Sequence, residues 1–111
     1  MNRTYTGNEG NRNEAGELLY GLIVQNAVRQ LAVTVGVTAV ALPTTPLRRR
    51  KSLQIFNNSS NPIYLGDSTV SASDGLPVYP RASINIQIED GVDVYAISTV
   101  AGNDIRILEG S

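Results

Sequence analysis

The sequence predicts an all-β protein: a small antiparallel β-sandwich or barrel of about seven to eight short strands with an extended N-terminal arm. Three observations carry this. Apolar and polar residues alternate with period 2 through most of the chain after Arg29. Small β-branched residues dominate that alternation, while aromatic residues are sparse, with five Tyr, one Phe and no Trp. Clusters of Asn, Asp, Gly, Ser and Pro interrupt it at a spacing of roughly ten residues. At 111 residues and 41% hydrophobic content, the chain is long enough for one domain with a real core.

Taken in order, residues 1–17 (MNRTYTGNEGNRNEAGE) hold almost nothing apolar beyond Tyr5 and Ala15. Such a segment buries too little area to offset its ordering entropy, so it reads as an arm that orders only against a partner, or as a plain tail. The following 18-LLYGLIVQNAV-28 suits a short helix or a short strand, with Gly21 weakening the helix. Residues 1–28 form the expected arm and docking segment, and residues 29–111 the expected sandwich domain.

The first clear strand alternates Leu31, Val33 and Val35 with Gln30, Ala32 and Thr34. After Gly36, a bend or bulge, the pattern continues through Thr38, Val40 and Leu42 until Pro43 and Pro46 end it. In 51-KSLQIFN-57, Leu53 and Ile55 share one face. The turn 57-NNSSNP-62 and the short run 63-IYLG-66 then make a hairpin with it. Residues 67–83 read as a long loop with a turn at Asp74-Gly75. Three more strands are expected at 84-INIQI-88, 92-VDVYAIS-98 and 105-IRILE-109, separated by 89-EDG-91 and 101-AGND-104. The expected core is Leu31, Val33, Val40, Leu53, Ile55, Ile63, Leu65, Ile84, Ile86, Val94, Ile97, Ile105 and Ile107.

Composition excludes most catalytic chemistry. The chain has no Cys and no His. It therefore has no thiolate nucleophile, no disulfide, no sulfur ligand, and neither the commonest general base nor the commonest metal ligand. No Walker A loop, dinucleotide fingerprint or EF-hand spacing is present. The loop acids Asp67, Asp74, Glu89, Asp90 and Asp93 read as solvated turn formers rather than a Ca²⁺ site. No enzyme activity, cofactor or metal is expected. The N-terminus lacks the apolar stretch of a secretory leader, and 18–28 is too short to span a membrane.

The remaining feature is 46-PLRRRKSLQ-54. Arg48, Arg49, Arg50 and Lys51 concentrate the basic charge of a chain whose net charge is only −1. Three readings compete. The run is a solvated loop that discourages edge pairing, a contact with an acidic protein surface, or a phosphate contact. No aromatic residues lie beside it to stack bases, and the chain has no basic excess, so nucleic acid is not the expected partner.

The series 42-LPTTPLRRRKSLQIFNNSSNPIYLGDSTVSASDGLPVYPRASINIQI-88, with the later VYAIS and the closing AGNDIRILE, resembles small structural proteins of tailed-bacteriophage virions. The resemblance covers about residues 30–110 and leaves the N-terminal 17 unmatched. It implies a non-enzymatic all-β module on the particle, as a capsid decoration or cement protein or as a neck or tail component. It implies virion localisation, other virion proteins (major capsid, portal or tail) as partners, and homo-oligomers. The expected partner-binding residues are Tyr5, Leu18, Leu19 and Tyr20 in the arm and Arg48, Arg49, Arg50 and Lys51 in the basic run. The alternative is a host-surface or glycan-binding module using the 67–83 loop, with Asp67, Asp74, Tyr79 and Arg81 as polar contacts. A nucleic-acid clamp inside the shell is the third possibility.

Overall fold

The computed structural model describes residues 27–111. Tyr5, Leu18, Leu19 and Tyr20 lie outside the described residues. Eight strands follow one another: β1 (Val28–Val35), β2 (Val40–Ala41), β3 (Ser52–Asn57), β4 (Ile63–Gly66), β5 (Leu76–Val78), β6 (Ser83–Gln87), β7 (Tyr95–Ile97) and β8 (Asn103–Gly110). They form two four-stranded sheets, in the orders β1-β8-β3-β6 and β2-β7-β4-β5. Every hydrogen-bonded pair of strands is antiparallel. The two sheets face each other with the arrangement of an eight-stranded jelly roll.

Alternation along each strand decides what enters the space between the sheets. On β8 the odd-numbered Asn103, Ile105, Ile107 and Glu109 are buried while Arg106 and Leu108 are exposed. The register sets Ile107 opposite Leu31 on β1 and Ile55 on β3, so inner residues meet inner residues. The core contains Leu53, Ile55, Ile63, Leu65, Ile105 and Ile107, with Leu31, Val33, Val40, Ile84, Ile86 and Val94 half-buried against it. Val35, Leu42, Val78, Ile88 and Ala96 complete it. Ile97 stands apart from this cluster and is only half-buried.

The turn 57-NNSSNP-62 does not close a hairpin. β3 and β4 lie in different sheets, and the turn carries the chain across the sandwich. The reason is Asn57. Its side chain is fully buried and bonds across to Val78 O on β5 at 2.9 Å, which fixes the chain at the point of crossing. Residues 67–83 are also more ordered than a loop, because Leu76–Val78 pairs with β4. Pro77 removes one donor, which an edge strand tolerates. The alternation after Gly36 yields only the two-residue β2, prolonged by a bond from Leu42 N to Val94 O at 2.8 Å. The expected 92–98 strand is likewise restricted to Tyr95–Ile97.

Gly75 shows how tightly the β4–β5 corner is packed. A Cβ there would lie 2.6 Å from Tyr64 Cβ, 2.8 Å from Val70 Cγ2 and 3.0 Å from Ser71 O. Gly75→Ala is expected to lower stability by about 1–3 kcal/mol through overpacking. Urea unfolding measures it, and a loss within error of zero would show that the corner relaxes freely.

Candidate functional site

The cationic run sits on the turn between β2 and β3. Arg50 N donates to Leu47 O at 3.2 Å, and Arg49 takes the left-handed backbone region at φ 59°. Arg49 N donates to Asp90 Oδ1 at 2.9 Å, and Lys51 N donates to Gly110 O at 2.7 Å. Both ends of the turn are therefore tied to other parts of the sandwich.

The turn divides the four cations. Arg48, Arg49 and Lys51 are exposed. Arg50, expected at the surface with its neighbours, is only 1% exposed. Burial of a lone guanidinium is very costly, so a buried arginine requires a partner. The partner is Glu109, which is itself fully buried. Arg50 Nη1 meets Glu109 Oε2 at 2.9 Å and also donates to Leu42 O, while Nη2 donates to Val92 O at 2.9 Å. Glu109 Oε2 accepts Leu47 N as well, and Oε1 accepts Arg29 Nε at 2.9 Å. One carboxylate thus pairs with two arginines and anchors the turn, and Arg50 positions the run rather than displaying charge.

The 67–83 loop divides in a similar way. Asp67 accepts both the amide and the hydroxyl of Thr69, at 2.9 and 2.7 Å, and Asp74 does the same for Ser71, at 2.8 and 2.9 Å. These bonds favour the charged form and hold both carboxyls below the ordinary carboxylate value. The acids form turns with their own neighbours. Arg81, at φ 65°, donates to Asn58 Oδ1 at 2.6 Å, and Tyr79 is left exposed.

The outer face of the β1-β8-β3-β6 sheet carries an open groove of about 400 Å³, whose lining includes Val28, Gln54, Asn85, Gln87 and Leu108. Glu109 also borders it, with its carboxylate already engaged by Arg29 and Arg50. Among the described residues no helix is long and apolar enough to cross a membrane.

Sequence reasoning missed Glu109, Asn57 and Asn103 as organising residues. Strand phase was the available signal, since Asn57 is in step with Leu53 and Ile55, and Asn103 and Glu109 are in step with Ile105 and Ile107.

No protein-family model matches the chain, and no curated protein matches it. Among solved structures, the chain is similar to a protein of Bacillus endospore appendages, described as forming "a novel family of disulfide-linked pili". The match has a TM-score of 0.54 at 13% sequence identity and covers 78% of this chain and 83% of the other. The two share a fold.

Proposed function

We propose that this protein is a non-enzymatic structural subunit of a bacteriophage virion, a capsid decoration or cement protein or a neck or tail component. It docks on the particle through its N-terminal segment and the exposed cations of the β2–β3 turn. The observation that carries this reading is the fold, an eight-stranded jelly roll similar to a protein of endospore pili. Jelly rolls also recur in viral capsid domains, which supports the reading by analogy. The endospore pili are disulfide-linked, whereas these 111 residues contain no Cys. Contacts made by these residues are therefore not disulfides, and the reading rests them on complementary surfaces.

Arg48, Arg49 and Lys51 supply one such surface, held on a turn tied at both ends. Its partner is an acidic patch on a major capsid, portal or tail protein, or on another copy. The test replaces these three residues together with Ser in the full chain and leaves Arg50 in place. Binding of the parent protein to purified particles is expected to weaken as salt rises. The variant is expected to bind at least about tenfold more weakly, with most of the salt dependence gone. Unchanged binding would reduce the run to solvated surface.

A further inference from the structure

We infer that copies of this protein join edge to edge, with β6 of one copy adding as a strand to β1 of the next. The inference rests on the reading of the chain as an assembling structural subunit and names the surface by which it assembles.

The two sheets treat their edges differently. The second sheet ends in β2, which is two residues long, and β5, which is three residues long and contains Pro77. Very short strands and edge prolines are the usual protections against unwanted pairing. The first sheet ends in β1, VRQLAVTV, and β6, SINIQ. Neither holds a proline, and the only charge in either is Arg29, which is paired to Glu109.

The ladder shows which backbone groups are free. Ser111 N donates to Ala27 O, while Asn58 N donates to Asp104 O. Hydrogen-bonded pairs alternate along an antiparallel ladder, so odd-numbered residues of β8 face β1 and even-numbered ones face β3. Asn57 N to Ala82 O and Ile88 N to Lys51 O fix the phase of β6 in the same way. Val28, Gln30, Ala32 and Thr34 on β1 therefore aim their N–H and C=O groups off one edge of the sheet. Ser83, Asn85 and Gln87 on β6 aim theirs off the other. Among the described residues no strand lies beyond either edge.

The occupant that fits both edges is a second copy. The sheet has four alternating strands, so β1 and β6 run in opposite directions. A neighbour in the same orientation brings its β6 antiparallel to β1 and extends the alternation without interruption. Antiparallel pairing is also the stronger geometry. Setting Ala32 opposite Asn85 joins the free backbone groups of both strands. The same register places Leu31 beside Ile86 and Val33 beside Ile84, all four half-buried within a single copy. The inner apolar stripes then run on from one copy into the next. The acidic Glu89 and Asp90, just after β6, come to the end of β1 that carries Arg29. Contact between two different edges repeats, giving a ring or a helical array according to the twist.

The test uses Ala32→Pro and Asn85→Pro in the full chain. Each removes only an N–H that faces away from the molecule's own sheet, and edge strands accept proline there. Far-UV circular dichroism and the thermal midpoint establish folding, with Gln30→Pro and Gln87→Pro as replacements if either first variant unfolds. The parent chain is expected to associate with rising concentration in sedimentation velocity. Each variant is expected to associate about tenfold to a hundredfold more weakly, the factor for one buried donor lost. An equimolar mixture of the two is expected to form dimers and nothing larger, because it contains one intact β6 edge and one intact β1 edge. A parent chain that stays monomeric overturns the inference, while particle docking by the cationic turn is judged separately by salt-dependent binding. Association of both folded variants at the parent strength overturns the edge contact and leaves the reading of an assembling subunit standing. Loss in Ala32→Pro alone, with Asn85→Pro unchanged, also overturns the inference, since β1 would then take a strand other than β6.

Discussion

Glu109→Ala is expected to unfold most of the protein or to leave it destabilised by about 3–5 kcal/mol, the cost of leaving a buried ion without its partner. The geometry explains the size. Arg50 is 1% exposed, and its remaining contacts are two carbonyls, Leu42 O and Val92 O, which hold the guanidinium in place but do not neutralise it. Arg29 is less affected because its side chain is 36% exposed and can turn to water. A domain of this size has roughly 5–15 kcal/mol of total stability, so the loss removes a large fraction of it. Replacing both members, as in Arg50→Met with Glu109→Leu, is expected to cost much less than Glu109→Ala alone, because apolar packing removes the desolvation cost of both ions. Urea unfolding of the single and double variants decides this. If Glu109→Ala costs under about 1 kcal/mol, water or another acid reaches Arg50 and the anchoring role is lost.

The same residues show how much the sequence could reveal. Period-2 alternation located the long strands, because one face of each meets the core and the other meets water. It also placed most of the core, including Leu53, Ile55, Ile105 and Ile107. The two-sheet connectivity was not legible. A turn such as 57-NNSSNP-62 has the same chemistry whether it closes a hairpin or crosses between sheets, and a long-range bond such as Asn57 to Val78 makes the difference. Strand β5 was hidden for a related reason. Leu76, Pro77 and Val78 make a strand only because β4 lies beside them.

The division of the cationic turn was missed from the sequence, because its signal lies in strand phase and not in the run itself. Four consecutive cations are normally solvated, and nothing within several residues of Arg50 announces its burial. The information lay at the other end of the chain. Glu109 follows Ile105 and Ile107 on one face of a strand, and an acid in an inward phase demands a cation. A charged residue in step with a hydrophobic stripe is thus a prediction of a distant partner of opposite sign. Applied here, it separates Arg50, which builds the turn, from Arg48, Arg49 and Lys51, which the turn presents.

A second large effect is expected at Asn57, where a neutral group does the equivalent work. Its Nδ2 donates to Asn61 O at 2.8 Å and Val78 O at 2.9 Å, and its Oδ1 accepts Ser59 N and Ser59 Oγ at 3.1 and 2.6 Å. All the capacity of the amide is used, and the bonds join β3 of one sheet to β5 of the other through the crossing turn. Asn103 extends the set, accepting Asn61 Nδ2 and donating to Val35 O and Val100 O. Asn57→Ala is expected to cost about 2–4 kcal/mol, the penalty for one or two buried groups left without partners. Asn57→Asp has almost the same shape and keeps the acceptor for Ser59, yet it is expected to cost more at neutral pH. It loses both donors and turns a carboxylate toward two carbonyl oxygens. Those carbonyls and the burial raise the pKa of the introduced carboxyl, so its protonated form is the one compatible with the fold. Part of the loss should therefore be recovered as pH falls through that raised value, relative to the parent protein at the same pH. Urea unfolding at neutral and acidic pH tests both statements. A smaller loss for Asn57→Asp than for Asn57→Ala would mean that shape, and not donation to Val78 and Asn61, holds the crossing together.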